Sequence, residues 1–226
     1  KPVVPKGNLI QRDTYNPHQI GHGLIQTTAY FHYLMTHNDE WVRKVMPELL
    51  SSYEFTQSTR QDWGNQLPRE SWGYGLCRPY ALSQDMRMSA MGYYMNALFC
   101  EGMLSVANLV TLTDPTRGEI MKQESNEYRQ ALRRAVDRSI ALTPVMKVQD
   151  GTYRRYIVHG AYMRGRWSEY QGVSNKVFSD YQDAVGNGLQ LALHGIYAPD
   201  DVVMQEIGDD LGRSSCSERL YISVVD

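Results

Sequence analysis

No run in this sequence approaches the roughly 18 uninterrupted apolar residues that a helix needs to cross a bilayer, so no membrane partner is expected. Cysteine is scarce. Cys77, Cys100 and Cys216 form an odd set without metal-like spacing, which argues against a cysteine zinc site and against a disulfide framework. Neither sign of charge is in excess: 23 Lys and Arg stand against 25 Asp and Glu, leaving −2. A dedicated nucleic-acid binder would show a basic excess or stripe, so nucleic acid is not an expected partner either. Phosphate-loop and dinucleotide fingerprints are missing, because Gly73-Tyr74-Gly75 lacks a preceding strand and a third glycine. There is no Gly-x-Ser-x-Gly elbow. His18 and His22 are four apart, as metal ligands on one helical face can be, but no acidic third ligand accompanies them in a zincin pattern. No cofactor and no metal is expected.

What is present is aromatic and helical. Sixteen Tyr and four Trp in 226 residues exclude a disordered chain and suffice for one folded unit spanning residues 1–226. Periodicity predicts a helix over 19–37 that is apolar nearly all round, through Leu24, Ile25, Ala29, Phe31, Leu34 and Met35. A helix over 40–55 follows with a single apolar stripe, Trp41, Val42, Val45, Leu49 and Tyr53. The alternation recurs at 85–112 and 118–142, then at 176–194 and 200–211. A helix apolar on every face must be surrounded by protein, whereas one with a charged face borders solvent. The expected fold class is therefore all-α, with three antiparallel hairpins in two layers and little β. Thr152 to Val158 alternates and reads as one edge of a small hairpin before Trp167.

Two connections are long, 60–83 and 148–175, and together they hold three of the four Trp. Each follows a complete hairpin, so both should emerge at the same end of the layers. Long irregular segments in a compact unit are usually functional.

Thr36-His37-Asn38-Asp39-Glu40-Trp41 followed by Val45-Met46-Pro47-Glu48-Leu49 resembles the inner-to-outer helix junction of the six-hairpin (α/α)-toroid glycosidase superfamily. Asp150-Gly151-Thr152, and His194-Gly195-Ile196 leading to Pro199-Asp200-Asp201, fit the same pattern. The likeness spans most of the chain and is architectural. It implies an (α/α)6-toroid-like arc, a partial barrel of three hairpins, and hence about half of a catalytic domain. Lys1-Pro2 at the start and the apolar run Leu220 to Val225 at the end also read as a piece of something longer. Such an arc is expected to self-associate or to meet the remaining half of the barrel.

Glycoside hydrolysis needs a proton donor beside the scissile oxygen and a second carboxylate, with aromatic faces and polar groups to hold the sugar. One connection supplies Asp62, Trp63, Arg69, Glu70, Trp72 and Tyr74; the other supplies His159, Trp167, Glu169 and Tyr170. Glu70 is the candidate acid and Glu169 the candidate base or nucleophile. Asp85 is a third catalytic candidate, although a helix dipole alone favours an acid in a first turn. The other eight, Asp62, Trp63, Arg69, Trp72, Tyr74, His159, Trp167 and Tyr170, are candidate substrate contacts. Each residue has a plainer reading, as part of a rigid Gly-aromatic loop or a solvated hairpin cap. The expected function is hydrolysis of a carbohydrate substrate. A polysaccharide lyase or sugar epimerase on the same toroid would instead move a proton with His22, His159 or Tyr162. A non-catalytic helical scaffold would use none of these groups.

Overall fold

The computed structural model describes residues 20–81, 89–143, 145–147, 151–155, 157–158, 160–163 and 190–205. The architecture is all-α. Four long helices, α1 (Ile20–Thr36), α2 (Asp39–Gln61), α3 (Tyr93–Thr111) and α4 (Pro115–Leu142), carry the described core, and α5 (Gln190–Leu193) is a short piece beside them. Among the described residues, strand is confined to β1 (Tyr80–Ala81), β2 (Ser89–Gly92), β3 (Met146–Lys147), β4 (Tyr153–Arg154) and β5 (Gly160–Ala161).

Local chemistry sets the helix ends. His37 takes a left-handed conformation (φ 48°) that stops α1, and the Asn38 side chain then accepts the Trp41 N–H at 2.9 Å to start α2. Asp39 and Glu40 place negative charge at that N-terminus. Asp114 caps α4 in the same way through the Arg117 N–H at 3.0 Å, with Pro115 in the first turn, where a missing N–H costs nothing. Helix α5 closes on a Schellman turn. Gly195 sits at φ +66°, the Ile196 N–H reaches the Leu191 carbonyl at 2.8 Å, and the Gly195 N–H reaches that of Ala192 at 3.0 Å.

Two helix boundaries depart from the periodicity. Helix α2 runs to Gln61 instead of ending near 55, because Thr56, Thr59 and Arg60 are buried and the two threonine hydroxyls donate back to carbonyls of the preceding turn. Helix α3 begins at Tyr93 and not at Asp85, since Ser89–Gly92 is extended. That strand pairs antiparallel with Tyr80–Ala81 on one side and Gly160–Ala161 on the other. The predicted edge after Gly151 pairs with Met146–Lys147, so its hairpin partner precedes it in the chain. Most of the helix expected over 176–194, and of that over 200–211, lies outside the described residues; 202–205 is helical.

Burial follows the expected layers for the second pair. Helix α3 is enclosed through Met95, Leu98, Phe99, Met103, Val106 and Leu109, whereas α4 buries one side and turns Arg134 and Arg138 to solvent. The first pair differs. Helix α1 buries a small and polar face, Gly23, Gln26, Thr27 and Ala29, and exposes Leu24, Phe31, Leu34 and Met35, the last at 77%. Its approach to α3 explains that choice. A Cβ at Gly23 would stand 2.7 Å from the Leu98 carbonyl oxygen, and one at Gly102 would stand 2.9 Å from the Gly23 Cα. The backbones meet at this glycine pair, which only the small face of α1 can supply. No described helix is long and apolar enough to cross a membrane.

Candidate functional site

The connection after α2 is a string of turns folded back on itself. The Leu67 and Gly75 N–H groups both reach the Gly64 carbonyl at 3.2 Å, so the loop closes on one residue. A Cβ at Gly64 would stand 1.9 Å from the Leu76 carbonyl oxygen, so glycine is required there. Trp72 fixes the centre of the loop. It is 6% exposed, and its indole N–H points at the Tyr93 hydroxyl (2.9 Å), the Ala135 carbonyl (2.9 Å) and the Ser139 hydroxyl (3.1 Å). Asn96 ties down the loop's end by accepting the Cys77 N–H at 3.0 Å and the Tyr128 hydroxyl at 2.6 Å.

Held this way, the loop forms one wall of an open cleft of about 400 Å³ against α4. Arg69, Tyr74, Gly75 and Asn65 line it from the loop, Arg60 from the end of α2, and Glu127, Gln130, Ala131 and Arg134 from α4. Arg60 is the buried member among the charged residues. Its Nε donates to the Gly75 carbonyl at 3.0 Å, and its guanidinium lies 4.0 Å from the centre of the Tyr128 ring. Behind it, the Glu124 carboxylate is 3.9 Å from Arg60 Nη1 and accepts from the Tyr53 hydroxyl at 3.0 Å and Gln57 Nε2 at 2.8 Å. Burial, and then the charge of Glu124, push the Tyr53 hydroxyl well above the ordinary tyrosine range, so it serves as a donor.

The sequence candidates thus separate. Arg69 and Tyr74 come together in the cleft. Asp62 is exposed and closes α2 as its C-cap, Trp63 is 48% exposed, and Glu70 is exposed with its backbone carbonyl accepting from Arg138. Trp72 faces the interior with its N–H engaged, which makes it a post for the loop instead of a platform for a sugar. Asp85, His159, Trp167, Glu169 and Tyr170 lie outside the described residues. The second connection does reach the first, because the Gly73 N–H donates to the Tyr162 hydroxyl at 3.1 Å. Arg60, Asn65, Glu127, Gln130 and Arg134 escaped sequence reasoning. On the helical pattern alone, Glu127 and Arg134 belong to a solvated outer face, and only the loop laid against that face turns it into a wall.

Two histidine nests lie elsewhere. His22 stacks on Phe55 with ring centres 4.2 Å apart, and its Nδ1 is 2.9 Å from the Ser52 hydroxyl, which Gln26 Nε2 also reaches at 2.8 Å. Burial lowers the His22 pKa to about 4, so it is a neutral core group out of reach of any substrate. His194 pairs through Nδ1 with Glu101 of α3, while Nε2 is 3.0 Å from Gln190 Oε1. Among the described residues, no three His, Cys, Asp or Glu side chains are grouped to hold a metal ion. No protein-family model, curated protein or solved structure matches this chain.

Proposed function

We propose that this chain is a carbohydrate-active domain, an arc of three hairpins of the six-hairpin toroid type, that hydrolyses glycosidic bonds with a pair of carboxylates. The observation that supports this reading is the polar cleft walled by the loop that carries Glu70. It combines a half-buried tyrosine, two amides, three guanidiniums and one carboxylate in about 400 Å³, within the usual range of roughly 300–1,000 Å³ for small-molecule sites. Amide and guanidinium groups hydrogen-bond sugar hydroxyls, and a tyrosine face packs on the C–H surface of a ring. Glu70 is the proposed general acid and Glu169 its partner. The test is turnover of a polysaccharide panel by the full chain, followed by reducing ends. Glu70→Gln should lower hydrolysis about 10²–10⁴-fold, the usual worth of a positioned acid, with the melting temperature unchanged. Full activity in that variant overturns the acid assignment. Absence of turnover on every polysaccharide overturns the enzymatic reading in favour of a scaffold.

A second reading, proton abstraction as in a lyase or epimerase, is favoured by Tyr162. It is a half-exposed residue at φ +69°, a strained backbone for a bulky side chain of the kind that clusters at functional sites. Loss of turnover in Tyr162→Phe, with Glu70→Gln still active and unsaturated products formed, would select it.

A further inference from the structure

The arginines around the cleft differ in how they are paired. Arg133 stands 2.9 Å from the Asp201 carboxylate and 3.6 Å from that of Asp137, and Arg138 donates to the Glu70 carbonyl. Arg60 is engaged by the Gly75 carbonyl and faces Glu124. Arg69 and Arg134, on opposite walls of the cleft, have no carboxylate partner among the described residues. The single carboxylate of the lining is Glu127, which accepts from Gln123 at 3.2 Å. Two unneutralised guanidiniums facing one concavity repel each other, and an anion between them removes that cost.

We infer that the cleft takes an acidic saccharide, with the carboxylate of a uronic acid ring held between Arg69 and Arg134. This rests on the carbohydrate reading of the same cleft and narrows it. A planar guanidinium matches a carboxylate with two parallel hydrogen bonds, a geometry that discriminates uronate from a neutral ring. Tyr74, Asn65 and Gln130 then meet the rest of the sugar. A free inorganic anion would satisfy the guanidiniums but would leave these three without a role.

The experiment is titration calorimetry on the full chain with a trisaccharide of galacturonic acid, a trisaccharide of galactose and inorganic phosphate. The acidic trisaccharide should bind at least about tenfold more tightly than the neutral one, as expected for one charge-assisted bidentate contact. Arg69→Gln and Arg134→Gln should each remove about that factor for the acidic ligand and weaken the neutral one far less, because glutamine still hydrogen-bonds hydroxyls but carries no charge. Both are exposed, and unchanged melting temperatures would confirm that the fold is kept. Equal binding of acidic and neutral sugars, insensitive to both variants, overturns the inference while the carbohydrate reading stands. Phosphate binding as tight as the uronate overturns the saccharide assignment of the cleft. Binding of none of the three overturns both.

Discussion

The backbone N–H of Gly73 donates to the hydroxyl of Tyr162 at 3.1 Å, across 89 residues of sequence. Around that bond the two long connections are locked together. The Tyr162 ring lies 5.7 Å from that of Trp72, and Met91-Gly92 pairs with Gly160-Ala161 beside it. Trp72 carries the arrangement inward by fixing the loop to Tyr93 of α3 and to Ala135 and Ser139 of α4. The cleft wall is therefore held from its buried side, which leaves Arg69 and Tyr74 available on the other.

Replacing Trp72 by Phe keeps an aromatic ring but deletes the indole donor from a buried cluster in which the Tyr93 and Ser139 hydroxyls also reach the Ala135 carbonyl. Lost volume and lost hydrogen bonding together predict a destabilisation of about 2–4 kcal/mol in chemical denaturation. A sugar platform would behave differently. Unchanged stability with weakened saccharide binding would return Trp72 to the site.

His22 makes stability depend on pH. Its pKa falls from 6.5 to about 4 on folding, so between those values the unfolded chain binds a proton that the folded chain does not. The contribution is complete above pH 6.5 and is lost as the pH drops toward 4, by up to about 3 kcal/mol. In urea titrations across that window, His22→Gln should show a shallower loss than the parent chain. Identical slopes would show that His22 is not neutral in the folded state.

Burial pushes the thiols of Cys77 and Cys100 up to about 12, and both are fully enclosed. Thiolate is the reactive form, so a water-soluble alkylating reagent at neutral pH should leave both unmodified in the folded chain and label them only after denaturation. Peptide mass mapping distinguishes them from Cys216. Rapid labelling of Cys77 before unfolding would mean that the loop opens.

Acidic-sugar binding should also weaken with salt, because Arg69 and Arg134 are solvent-exposed and their charge is screened over about 10 Å at 0.1 M ionic strength. Titration of the galacturonic acid trisaccharide at rising sodium chloride should lower its affinity while that of the galactose trisaccharide holds. A salt-independent acidic affinity would count against guanidinium recognition.

The sequence by itself determined the helical class and the start of α2. Caps such as Asn38 and Asp114 act within three residues, and a 3.6-residue apolar stripe records which side meets protein whatever the partner is. It also marked the loop rich in Gly and Trp, and within it Arg69 and Tyr74. Tertiary structure decided the rest. Whether Trp72 offers its face to a sugar or its N–H to the core depends on Ser139, 67 residues away, and no local pattern contains that distance. The same holds for α1. Its apolar sequence suggested enclosure, but close approach to α3 needs a glycine pair, so the small face turned inward and Phe31 and Met35 turned out. Glu127 and Arg134 read as an ordinary solvated face until a loop from the neighbouring hairpin was laid across them, because a cleft is a property of two surfaces and each segment encodes only its own.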